Sequence, residues 1–119
     1  MAVKAVVSRE QRALERFLEA AEALGLTRQE QAGLLGLTPR TYQRRLREGR
    51  LEPAEVAAAQ VLPAALEEAE RLFGSSERAR LWLTSRVRAL NARPVELLGD
   101  LEGYQRVQAA LGGAVYGHY

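Results

Sequence analysis

The stretch from Leu26 to Arg47 constrains the fold of this chain more than any other part of it, because it writes two short helices and the turn between them. Thr27 stands as an N-cap, and Glu30, three residues on, completes a capping box in which each side chain takes the other's backbone N–H. Gly36 and Leu37 end that helix, with the glycine where a left-handed residue is usually needed. Thr38 then caps a second helix whose first position is Pro39, the one helical site where a missing N–H costs nothing. Two helices joined by so tight a turn form the helix-turn-helix pattern, whose second helix can enter a DNA major groove.

The faces of that second helix follow from about 100° of rotation per residue. Arg40, Gln43, Arg44 and Arg47 fall in one sector, and Tyr42 and Leu46 lie on the far side. The apolar pair would anchor the helix to its own domain while arginine and glutamine face outward. Arginine pairs bidentately with guanine and glutamine with adenine, and both also bind phosphates. A solvated helix in an arginine-rich protein is the plainer reading of the same residues. The caps and the tight turn favour DNA.

Charge is distributed in the same sense. The net charge is only +2, yet residues 27–50 carry a local +4 and residues 51–72 a local −4. A basic block centred on the recognition helix is the electrostatic footprint of a DNA reader, and the acidic block beside it would keep the rest of the molecule off the phosphates. Sixteen of the seventeen basic residues are arginine, a bias that a GC-rich or thermophilic source would produce as readily as function.

The 119 residues make one domain or two very small ones, and at 47% hydrophobic content they can bury a real core. Strand signals are scarce, and alanine, leucine, glutamate and arginine dominate, so the expected fold class is all-α. Ser8 caps a first helix to about Leu24, with Ala13, Leu14, Phe17, Leu18, Ala21 and Leu24 on one face. Glu52-Pro53 opens a long helix to Phe73, which Pro63 is expected to kink or divide. Further helices are expected over about Glu77–Val87, over Pro94–Leu98, and from Leu101-Glu102-Gly103 to Leu111 or Gly112, before a tail without periodicity. The expected division is a helix-turn-helix region over 1–50, a connecting helix over 51–72 and a C-terminal domain over 73–119.

Cysteine is absent, which removes disulfides, thiolate ligands and cysteine nucleophiles together. The one histidine, His118, has neither a second histidine nor a cysteine to share a metal, so no metal site and no cofactor are expected. Nucleophilic catalysis needs a base beside the nucleophile, and the body of the chain has no histidine or cysteine to serve. The glycines form neither a phosphate loop nor a dinucleotide fingerprint, so an enzyme is not expected. No apolar run approaches the roughly 18 residues of a membrane span, and Met1–Ser8 is too short and too soon charged for a signal peptide. A cytoplasmic protein is the expectation.

The second half carries an ordered pattern of its own. Phe73-Gly74 is followed by Trp82-Leu83, Leu90 and Arg93-Pro94-Val95-Glu96-Leu97-Leu98, then by Gly103, Val107, Leu111 and Tyr116-Gly117. In this order, behind a helix-turn-helix, the chain resembles the Xre/MbcA/ParS antitoxins over roughly residues 24–119. Their typical pattern is a phenylalanine-glycine loop, a Trp-Leu helix, a Pro-x-x-Leu-Leu turn, a Gly-x-x-x-Val helix and a glycine-containing tail. One departure is Asn91-Ala92-Arg93, which stands where the family commonly has a glycine-containing turn.

The resemblance implies an Xre-like helix-turn-helix followed by a small helical toxin-binding domain. It implies an antitoxin that neutralises a RES-type, NAD-consuming toxin by covering its active-site entrance, and that binds its own promoter as a dimer. Arg40, Thr41, Gln43, Arg44 and Arg47 would then be the DNA face. Tyr116, Gly117, His118 and Tyr119 would lie at the toxin's cleft, where two tyrosines offer large contact area with few torsions to freeze. The alternative is an orphan helix-turn-helix regulator whose C-terminal half only dimerises it; a third reading is a protein–protein adaptor that no longer touches DNA. Taken alone, Trp82 and Pro94–Leu98 read as core residues, and His118 as a solvated tail residue.

Overall fold

The computed structural model describes residues 6–117. Among these, six α-helices are found: α1 Arg9–Ala23, α2 Arg28–Leu34, α3 Pro39–Glu48, α4 Val56–Phe73, α5 Ser76–Thr84 and α6 Leu101–Tyr116. Short 3-10 turns over Pro53–Glu55 and Pro94–Leu97 lead into α4 and precede α6. The described residues contain no strand; one isolated antiparallel bridge joins Val87 to Ala92. The fold is all-α.

Every α-helix except α4 starts at a side-chain cap. The Ser8 hydroxyl accepts from the Gln11 N–H at 3.1 Å, and Gln11 returns its amide oxygen to the Ser8 N–H at 2.8 Å. Ser75 caps α5 and Asp100 caps α6 in the same way, through the N–H groups of Arg78 and Gly103. The α1 face carrying Ala13, Leu14, Phe17, Ala20 and Ala21 is buried, and α4 runs along it.

Helix α4 is the spine of the molecule. It packs on α1 on one side and on α5 and α6 on the other, so a single core passes from one half of the chain to the other. Val56, Ala59, Leu62, Ala65, Leu66 and Ala69 are its buried positions. This explains why Pro63 does not divide the helix, one of the two outcomes expected from the sequence. An internal proline costs about 3 kcal/mol by deleting one backbone hydrogen bond and crowding the preceding turn. Burial of α4 on two sides, with Pro63 itself inside the interface, offsets that cost.

Two other helix ends differ from expectation. Helix α5 stops at Thr84 rather than continuing to Val87. There the Thr84 and Ser85 hydroxyls donate back to the carbonyls of Arg80 (2.7 Å) and Leu81 (2.6 Å), and Ser85 turns extended with its N–H on the Trp82 carbonyl at 3.3 Å. The chain then turns so that the Val87 N–H meets the Ala92 carbonyl at 2.9 Å. Helix α6 runs past Leu111 and Gly112 to Tyr116, because Gly113 is buried and Val115 packs against the core. Gly117 closes it in the left-handed conformation, its N–H on the Gly113 carbonyl at 2.8 Å. The supposed aperiodic tail is therefore helical as far as Tyr116.

Asn91, in the Asn91-Ala92-Arg93 segment, adopts φ = 53°. Asparagine is among the few non-glycine residues that accept the left-handed region at modest cost, so this turn closes without a glycine.

Candidate functional site

Helices α2 and α3 are set against each other by one buried amide. The Gln31 side chain donates to the Leu26 carbonyl at 2.9 Å and accepts from the Tyr42 hydroxyl at 2.7 Å and the Arg28 guanidinium at 2.8 Å. Tyr42 in turn meets Phe17 of α1 edge to face, ring centroids 6.4 Å apart. Burial pushes the Tyr42 phenol above its ordinary range, so it stays protonated and keeps donating. No buried side-chain polar atom lacks a partner among the described residues. A fully satisfied polar contact of this kind fixes one geometry for the pair of helices.

The turn between them carries Gly36 at φ = 69°. Beyond it the Thr38 hydroxyl accepts from the Thr41 N–H at 3.1 Å and donates to the Thr41 hydroxyl at 3.1 Å. Arg40, Gln43, Arg44 and Arg47 are all exposed, on the side away from buried Tyr42 and half-buried Leu46. Thr41 differs from the other four: it is half-buried and its hydroxyl belongs to the cap.

Arg45 is the residue the sequence reading passed over. It is only 8% exposed, and its Nε and Nη2 reach both carboxylate oxygens of Glu55 at 2.7 and 2.9 Å. The signal was present in the helix rotation, since Arg45 lies about 60° from Tyr42 and shares its inward flank. The pairing holds the Glu55 carboxyl below the usual range and the Arg45 guanidinium above it. Glu55 also accepts from the Glu52 N–H at 2.8 Å, so the end of α3 is locked to the turn that starts α4.

A second ion pair joins the two halves. Arg93 donates through Nε to the Thr84 carbonyl at 2.9 Å and through Nη1 to Glu30 of α2 at 3.2 Å. Glu30 is the capping-box residue of α2, and the Thr27 backbone N–H, with smaller help from the Thr27 hydroxyl and Arg93, holds its carboxyl below the usual range.

At the C-terminal end of the described residues, Tyr116 is 62% exposed on the last turn of α6 and Gly117 ends the helix; His118 and Tyr119 lie outside the described residues. Trp82 is half-buried against Phe73, ring centroids 6.2 Å apart, and Pro94, Val95 and Leu98 are buried, so these motif residues build the core. On α6, the Tyr104 hydroxyl donates to Glu68 of α4 at 2.9 Å; burial, with that carboxylate beside it, pushes the phenol up to about 12. The described residues hold no cluster of three or more potential metal ligands, and none of their helices is long and apolar enough to cross a membrane.

A capped, rigid helix pair presenting three arginines and a glutamine, with a second helical module fused to it through α4, defines a helix-turn-helix DNA-binding protein with an added domain. The family model of the antitoxin Xre-like helix-turn-helix domain matches residues 7–74, and that of the antitoxin Xre/MbcA/ParS C-terminal toxin-binding domain matches residues 68–117. The chain belongs to the Xre/MbcA/ParS antitoxin family. No curated protein matches it.

Proposed function

We propose that this antitoxin neutralises a RES-type, NAD-consuming toxin by occluding its active-site entrance, and that it represses its own promoter as a dimer in the cytoplasm. It acts by binding, with no chemistry of its own. Residues 1–50 would read DNA, 51–72 would connect, and 73–119 would engage the toxin. Arg40, Thr41, Gln43, Arg44 and Arg47 form the DNA face in this reading, with Thr41 acting through the α3 cap. Tyr116, Gly117, His118 and Tyr119 reach the toxin.

The observation that carries the reading is the succession of the two matched domains on one continuous core. Exposed arginines on α3 and an exposed tyrosine at the end of α6 support it from opposite parts of the chain. The test is to purify the chain with the product of the neighbouring gene and measure NAD consumption. Co-elution and inhibition by the full chain support the proposal. A neighbour that consumes no NAD, or that the chain neither binds nor inhibits, leaves the orphan-regulator reading in its place.

A further inference from the structure

We infer that Arg86 and Arg88, in the turn after α5, form a second DNA-backbone contact that the C-terminal domain supplies beside α2. The inference rests on the DNA-binding reading above and adds to it a residue pair outside the helix-turn-helix. From Arg78 to Val95 the chain has five arginines and no aspartate or glutamate, a second basic block that the DNA face on α3 does not use. Arg93 spends its charge internally on Glu30, which leaves the outward charge of the turn to Arg86 and Arg88. Both are exposed, while Val87 between them is half-buried and paired to Ala92. Arg86 precedes the bridge residue and Arg88 opens the turn after it, in which the Leu90 N–H meets the Val87 carbonyl at 3.0 Å and the Asn91 N–H meets the Arg88 carbonyl at 3.1 Å.

The turn is built firmly enough to present them. Asn91 in its left-handed conformation closes it, the Asn91 side chain accepts from Arg86, and the Arg88 side chain has no hydrogen-bond partner among the described residues. The segment that follows the turn is fixed to α2 at both ends of that helix. Arg93, next to the bridge residue Ala92, pairs with Glu30 in the first turn of α2, and Gly99 lies so close to Leu34 at the other end of α2 that a Cβ there would sit 3.3 Å from the Leu34 carbonyl. In helix-turn-helix docking the first of the two helices crosses the phosphate backbone while the second enters the groove. A pair of arginines held beside the start of that first helix is placed for phosphates flanking the bases that α3 reads. An acidic patch on the toxin is the competing partner, but the fixed attachment to α2 favours DNA.

The experiment measures binding of the full chain to a duplex carrying the promoter upstream of its own gene, and to a scrambled duplex of equal length, across a salt series. The variant Arg86→Ala/Arg88→Ala should bind both duplexes about tenfold more weakly, and its log–log salt slope should be shallower by about 1.8, or 0.9 per phosphate. Arg86→Lys/Arg88→Lys should keep the slope, and thermal melts should show both variants folded. Unchanged affinity and slope in the alanine variant, with the wild type binding the promoter, overturns the inference and leaves the α3 face standing. Loss of toxin inhibition with DNA binding intact also overturns it and assigns the pair to the toxin. Failure of the wild type to bind either duplex overturns the DNA reading and this inference with it.

Discussion

Arg45 of α3 and Glu55 at the start of α4 are joined by two parallel hydrogen bonds, at 2.7 and 2.9 Å, with both side chains largely buried. The arginine that looks most like its neighbours in sequence is therefore the one that does not face outward. It holds α3 at a set angle to the spine, so that Arg40, Gln43, Arg44 and Arg47 are presented together. Removing one partner leaves the other charge buried and unpaired. Glu55→Ala should cost about 3 kcal/mol, read as a drop of roughly 10–15 °C in Tm. The double variant Arg45→Met/Glu55→Leu should recover most of that loss, because no charge is left stranded.

The same carboxylate sets an acid sensitivity. Its folded pKa lies below the ordinary value, mainly through the Arg45 hydrogen bonds, so the unfolded chain binds the proton more readily. The stabilisation is complete above the ordinary carboxylate range and is lost as pH falls through the folded value. Urea titrations at falling pH should therefore show a decline in wild-type stability that is shallower in Glu55→Gln. Parallel curves for the two proteins would remove Glu55 from the account.

Gly103, in the first turn of α6, has no room for a side chain: a Cβ would sit 1.8 Å from the Leu97 carbonyl oxygen. Gly103→Ala should lose about 3 kcal/mol, since the obstacle is backbone and cannot step aside. Gly112, farther along the same helix, meets nothing within 4 Å, and Gly112→Ala should gain about 0.5–1 kcal/mol by reducing unfolded-chain entropy. Chemical denaturation of the two variants tests the contrast directly.

At Asn91 the backbone, rather than a contact, makes the demand. Asn91→Gly should leave stability within about 0.5 kcal/mol of the wild type, and Asn91→Ala should cost about 1 kcal/mol, because alanine pays the left-handed penalty in full. Melting temperatures of the two variants decide it.

On the DNA side, Arg44→Ala/Arg47→Ala should weaken promoter binding by ten- to a hundredfold, about 1–3 kcal/mol, at unchanged Tm, and leave toxin inhibition intact. Both side chains are exposed and make no structural ion pair among the described residues. Promoter repression that survives the double change would place the recognition face elsewhere.

Much of this was legible in the sequence because the signals were local. The Ser8 cap, the Thr27 capping box, the Thr38–Pro39 start and the Gly36 turn each depend on residues within four positions, and each gave the helix end it predicted. What the sequence obscured depends on distant partners. Pro63 stays inside one helix because α1, α5 and α6 all pack on α4. Glycines 112 and 113 read as a helix stop, yet the tertiary contacts of Gly113 and Val115 carry α6 on to Tyr116. Arg45 stood outside the predicted basic face, but its pairing with Glu55, ten residues away, had no local signal. Arg93 and Glu30 are 63 residues apart, beyond any reading of local pattern.

The central claim is that one end of this chain stops a toxin while the other reads DNA. It is tested most directly by inducing the neighbouring gene alone, with the full chain, with Arg44→Ala/Arg47→Ala, and with a chain lacking residues 115–119, then following growth and cellular NAD. The account predicts that the full chain and the double-alanine variant restore both, and that the shortened chain restores neither although it folds. Full rescue by the shortened chain, or a neighbour that does no harm when induced alone, would contradict it.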